Sequence, residues 1–154
     1  MWSVAIVYAS IISMKVIIDT NVLINVLRSS STRSASYKVL ELCLKQELNP
    51  QMGAALFAEH EDVAYRDHII RKSIYDTYEI DQILDGYFSV CDWVKINYLW
   101  RPNLKDEGDN HIVDLAVASN AKYVITQNVK DLLSGDLKSS FEVLTPEDFL
   151  KKVI

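Results

Sequence analysis

Lys15-Val16-Ile17-Ile18-Asp19-Thr20-Asn21-Val22-Leu23-Ile24 decides the architecture. Val16-Ile17-Ile18 is a β-branched run that stops at a carboxylate, the pattern of a strand buried on both faces. Val22 to Leu27 then reads as a helix. A buried strand running straight into a helix begins a parallel sheet, and the rest of the chain either continues that alternation or breaks it.

It continues. Tyr37, Leu40, Leu44 and Leu48 recur at spacings of three and four, which predicts an amphipathic helix ended by Asn49-Pro50. Gln51 to Gly53 is expected as a short strand and Ala54 to Arg66 as a helix, followed by a basic turn around His68, Arg71 and Lys72. A helix is expected over Tyr75 to Phe88, and Asp92 to Ile96 alternates as a half-buried strand does. Asn97 to Gly108 reads as loop, Asp109 to Asn120 as helix, Tyr123 to Ile125 as strand and Val129 to Leu133 as a short helix. Phe141 to Leu144 gives a last strand, and Thr145-Pro146 starts a final helix with proline at its first position. Strand and helix alternate without internal repeat, so the expected fold class is three-layer α/β with a mainly parallel central sheet flanked by helices.

The 154 residues suffice for one domain with a sizeable core. A composition of 49% hydrophobic residues with only 4 Gly and 3 Pro is that of a globular chain. Met14 is expected as the natural start, with 1–13 an N-terminal extension and 14–154 the domain; the alternatives for 1–13 are an added strand or a contact arm. This apolar stretch lacks a basic start and is too short to span a bilayer, so a cytoplasmic location is expected and no membrane. Cys43 and Cys91 stand among apolar residues and are expected as buried thiols. The net charge of −5 excludes a generic nucleic-acid-coating protein. It leaves room for an acidic site that holds divalent cations.

Asp19 ends a strand, where ligands of open α/β sheets gather. From position alone it serves equally well as a helix cap, a role that Thr20 or Asn21 could share. Glu59 shares an i, i+3, i+7 stripe with Leu56 and Val63, so its carboxylate is expected to lean inward and to need a cation or a partner such as Arg66. Asp109 opens a helix on a stripe with Ile112 and Ala116; capping or dipole stabilisation, about 0.5–2 kcal/mol, is its alternative role. Asp114, roughly 200° around the helix from Ile112, is a weaker candidate expected to point away from the metal. Thr126, Gln127, Asn128 and Asp131 follow the Tyr123 strand and add further oxygen atoms. His60, His68 and His111 are expected at the surface or at caps. No phosphate-cradling glycine loop, nucleophile elbow or zinc-binding helix motif is present. Use of Asp19 as a phosphoryl-accepting nucleophile wants a second acid two residues on, and Asn21 stands there.

Lys15-Val16-Ile17-Ile18-Asp19-Thr20-Asn21 resembles the opening strand of the PIN family. Leu56-Phe57-Ala58-Glu59-His60-Glu61 is similar to the segment of its second acid, and Asp109-Asn110 to that of its third. Tyr123-Val124-Ile125-Thr126-Gln127-Asn128-Val129-Lys130-Asp131 resembles its penultimate strand, and Thr145-Pro146-Glu147-Asp148-Phe149-Leu150 its end. The resemblance covers Lys15 to the C-terminus. It implies a PIN fold and an endoribonuclease dependent on Mg²⁺ or Mn²⁺, the VapC-like toxin component of a toxin–antitoxin system. Its partners would be an RNA substrate, a cognate antitoxin protein and a second copy of itself.

In that reading Asp19, Glu59 and Asp109 are the catalytic metal ligands, and Thr20, Asn21 and Thr126 hydrogen-bond around them. Many relatives carry a fourth acid where this chain has Asn128. The amide oxygen of Asn128, or the carboxylate of Asp131 or Asp114, would have to stand in for it. Arg28, Arg33, Arg66, Arg71, Lys72 and Lys130 are candidates for phosphate contact, although solvated surface charge accounts for them more simply, and for Arg66 pairing with a helix carboxylate competes. The Asn128 departure also keeps open a catalytically weak or inactive module that binds RNA or protein.

Overall fold

The computed structural model describes residues 14–28, 34–96, 110–133 and 141–153. In chain order the elements are β1 (Lys15–Ile18), α1 (Thr20–Arg28), α2 (Ala35–Leu44), β2 (Asn49–Met52), α3 (Ala54–Ala64), α4 (Asp67–Lys72) and α5 (Thr77–Val90). They continue with β3 (Asp92–Trp93), α6 (Asn110–Ser119), β4 (Tyr123–Ile125), α7 (Val129–Leu133), β5 (Glu142–Leu144) and α8 (Pro146–Val153). The strands form one five-stranded sheet in the order β3-β2-β1-β4-β5, and every pairing is parallel. Helices flank it in the expected three-layer arrangement. No helix among the described residues is long and apolar enough to cross a membrane.

The central strand is the one legible in the opening stretch. Val16, Ile17 and Ile18 are almost fully buried because β1 has a strand on each side and helices over it. Strand order reverses beside it: β2 lies on one side and β4, reached much later in the chain, on the other. The crevice beyond the carboxyl ends of β1 and β4 is therefore the switch point at which such sheets bind ligands.

Several expected elements shift. The Tyr37 helix ends at Leu44 rather than at Pro50, because Gln46 takes the left-handed conformation (φ 60°) and the Gln46 and Glu47 amides donate to the carbonyls of Cys43 and Leu42. Leu44 is consequently 40% exposed, whereas Leu48 reaches the core from outside the helix. Asn49-Pro50 does not merely end the helix but opens β2. The expected basic turn at His68 is the short helix α4, anchored by buried Ile69, and the Asp92 strand stops at Trp93. The expected extension 1–13 and the 97–108 loop lie outside the described residues.

Two local features mark the surroundings of α6. At Gly53, which precedes α3, an added Cβ would stand at van der Waals distance from Leu115 of α6 (3.4 Å) and from Ile96 (3.6 Å), so the start of α3 packs closely against α6. Asn120 closes α6 at φ 58°, with the Ala121 amide donating back to the Ala116 carbonyl and turning the chain directly into β4. Cys43 and Cys91 are buried free thiols, as expected. Burial drives both away from ionisation, Cys91 up to about 12, so neither is a reactive nucleophile.

Candidate active site at the switch point

Asp19 stands directly beyond β1 and is only 7% exposed. Its Oδ1 accepts from the Thr20 amide at 2.8 Å. Its Oδ2 accepts from the Thr126 hydroxyl at 2.8 Å and from the Asn21 side-chain amide at 3.2 Å. These donors come from the N-terminus of α1 and from the end of β4, so the β1–β4 pairing builds the cradle. Asn21 locks it further, donating to Thr126 Oγ1 at 3.2 Å while its own carbonyl accepts from the Gln127 amide at 3.0 Å.

Thr20, Asn21 and Thr126 thus all donate to the Asp19 carboxylate. Burial raises the Asp19 pKa and the Glu59 charge adds to it, and together they outweigh the hydrogen bonds from Thr126 and the Thr20 amide that pull it down. A cation placed beside this desolvated carboxyl would favour its charged form.

Glu59 lies on α3 and is not on the buried stripe that sequence spacing suggested. The buried face runs through Leu56, His60 and Ala64, and the Glu59 side chain is 36% exposed at its margin. Its partner is also not Arg66, which pairs with Asp62 at 2.6 Å on the surface. Instead Nε2 of His111 lies 2.8 Å from Glu59 Oε2, joining α6 to α3. That hydrogen bond is the largest influence on Glu59 and outweighs burial; with Thr20 and the nearby histidines it holds the carboxyl below its ordinary value.

Neither His60 nor His111 is the surface or capping residue expected from sequence. His60 is fully buried, and its Nδ1 lies 2.9 Å from the Thr20 hydroxyl. Burial pushes its pKa down to about 4, so it is neutral at physiological pH. The signal for His60 was present in the i, i+4, i+8 spacing of Leu56, His60 and Ala64. His111 had no such signal, because its partner lies 52 positions away. His68 is exposed, as expected.

Asp109 lies outside the described residues. Asp114 is buried at 3% exposure, because α6 is covered around most of its circumference at Ile112–Ala116; the rotation from Ile112 does not carry it to solvent. Asn128 and Asp131 are both exposed, the Asn128 amide donating to Thr126 Oγ1 at 3.0 Å. Among the described residues no three His, Cys, Asp or Glu side chains form a metal-ligating group. Asp19 and Glu59 are near enough for the Glu59 charge to raise the Asp19 pKa, and their carboxylate oxygens are of the kind that hard divalent cations take, so in that respect they fit such an ion.

The model of the PIN domain family matches residues 15–130, the stretch that runs from β1 into α7 and contains this whole arrangement. The chain belongs to the PIN domain family. PIN domains are in general nucleases. The fold is also similar to a chain in the crystal structure of VapBC2 from Rickettsia felis bound to a DNA fragment from their promoter. That likeness has a TM-score of 0.53 at 17% identity and covers 84% of this chain and 97% of that one. Among curated proteins no relative matches the chain.

Proposed function

We propose that this PIN domain is a Mg²⁺- or Mn²⁺-dependent endoribonuclease acting on single-stranded RNA, the toxin half of a toxin–antitoxin pair. The observation that carries the reading is Asp19: a buried carboxylate at the sheet's switch point, oriented by Thr20, Asn21 and Thr126 and coupled to Glu59.

Asp19 and Glu59 would hold the cation, with Asp109 as third ligand and Asn128 or Asp131 completing the set. Such an ion lowers the pKa of a coordinated water and neutralises charge on the phosphate oxygens. The chain's own residues prepare for it. Thr126 and Asn21 fix the direction of the Asp19 lone pairs, and His111 keeps Glu59 ionised. Arg66, committed to Asp62 on the surface, is a weak candidate for phosphate contact. A cognate antitoxin, a homodimer and a cytoplasmic setting belong to the same reading, which the likeness to a VapBC2 chain supports. The second reading, a weak or inactive module that binds RNA or protein, is favoured by the amide at Asn128.

The test is incubation of the purified protein with single-stranded RNA in Mg²⁺, in Mn²⁺ and in excess chelator. Cleavage in either metal and none in chelator is expected. Absence of cleavage in both metals favours the binding module, and cleavage that persists in chelator contradicts the mechanism.

A further inference from the structure

Beside the Asp19 cradle an open cavity of about 460 Å³ lies between α1, α2, the turn after β4 and the start of α8. Its lining includes Asn25, Arg28, Ser36, Gln127 and Glu147. The volume falls among those of small-molecule sites, about 300–1,000 Å³. Hydrogen bonds join it to the carboxylate. The Gln127 backbone amide donates to Asn21, which donates to Asp19, while the Gln127 side-chain amide reaches Ser36 Oγ at 3.4 Å.

Asn21, Asn25 and Arg28 follow i, i+4, i+7 spacing and share one face of α1. Asn25 lies about 6 Å and Arg28 about 10 Å along the axis from Asn21. Asn25 and Arg28 are exposed, whereas Val22, Leu23, Ile24, Val26 and Leu27 between them are buried. A polar track thus leads from Asp19 into the cavity.

The lining chemistry narrows the ligand. Arg28 only donates and carries positive charge, Glu147 only accepts, and the Asn25 and Gln127 amides do both. A bare phosphate would meet the repulsion of Glu147. A nucleotide supplies a phosphate for Arg28 together with a base edge offering donors and acceptors for Glu147 and the amides. We infer that this cavity is a nucleotide subsite that seats a residue of single-stranded RNA next to the scissile phosphate. The role beside a scissile bond rests on the ribonuclease reading, but occupancy of the cavity by a nucleotide does not.

The test is NMR titration of nucleoside 5′-monophosphates, ribose 5-phosphate and inorganic phosphate into the metal-free protein, observing the side-chain amides of Asn25 and Gln127. Those signals should shift with at least one nucleotide and less with either phosphate alone. Arg28→Gln and Asn25→Ala should each weaken binding about tenfold with unchanged melting temperature, since both side chains are exposed. Equal binding of inorganic phosphate, shifts confined to other residues, or unchanged affinity in both variants would overturn the subsite. Nucleotide binding here without RNA cleavage in Mg²⁺ or Mn²⁺ would sink the nuclease and keep the subsite. Cleavage with an unresponsive cavity would do the reverse.

Discussion

His111 Nε2 lies 2.8 Å from Glu59 Oε2 and ties the start of α6 to α3. The contact is two-thirds to four-fifths sheltered from solvent, with 18% of the His111 side chain and 36% of that of Glu59 exposed. It makes Glu59 the more acidic of the two described carboxylates, whereas burial makes Asp19 the less acidic. Two acids a few residues beyond neighbouring strands are thereby pushed in opposite directions.

For Glu59 the consequence is direct. His111→Gln removes the largest influence lowering its pKa, so the Glu59 titration, followed by carboxyl-carbon NMR, should move to higher pH. A depressed carboxylate contributes stability that is present above its unfolded value, about 4.3, and is lost as pH falls through the folded one. The variant should therefore lose less stability than wild type on acidification. An unmoved Glu59 titration contradicts this assignment.

Asp19 has the opposite sign. Its folded pKa lies above the unfolded value, so whatever stability its neutral form gives is present below about pH 3.9 and is lost as pH rises through the folded pKa. Asp19→Asn cannot ionise and escapes that loss. The melting temperature of the variant relative to wild type should therefore be higher at pH 7 than at pH 4. Equal differences at the two pH values would show that Asp19 titrates without cost.

Thr126 is fully buried, donates to Asp19 and accepts from the Asn128 amide. Thr126→Val keeps the shape and removes these two hydrogen bonds together with the one accepted from the Asn21 side-chain amide. A loss of about 1–3 kcal/mol in urea unfolding is expected, together with a further rise in the Asp19 pKa. A neutral substitution would mean that water replaces the hydroxyl without penalty.

His60 adds a pH term of its own. Its folded pKa of about 4 lies below the unfolded value of about 6.5, so the unfolded chain binds more protons between them and stability falls as pH drops through that window. The loss is on the order of 2–3 kcal/mol. His60→Asn, which keeps a polar group near Thr20, should flatten the dependence in urea unfolding between pH 6.5 and 4.

The sequence carried the parallel sheet and half of the site because those parts are written locally. Val16-Ile17-Ile18, short and β-branched, reads as a doubly covered strand, and the polar residues that stop it and stop Tyr123-Val124-Ile125 mark one edge of the sheet. Thr20, Asn21 and Thr126 were legible for the same reason. The Glu59–His111 pair was not, since it depends on how closely α3 and α6 approach across 52 positions of chain, which no periodicity records. Helix α4 was missed because six residues with one buried side chain, Ile69, give no stripe. Leu44 and Leu48 seemed to extend a helix that Gln46 closes, since a left-handed non-glycine residue leaves no mark in hydrophobic spacing.

The measurement that bears most directly on the ribonuclease reading is the rate at which wild type and Asp19→Asn cleave an end-labelled single-stranded RNA in Mg²⁺, with folding of the variant verified by its melting curve. Asn retains the size of Asp19 but loses its charge. The account predicts cleavage by wild type and a fall of at least about 100-fold in the folded variant, the scale on which removal of a transition-state charge contact acts. Equal rates from both proteins would contradict it.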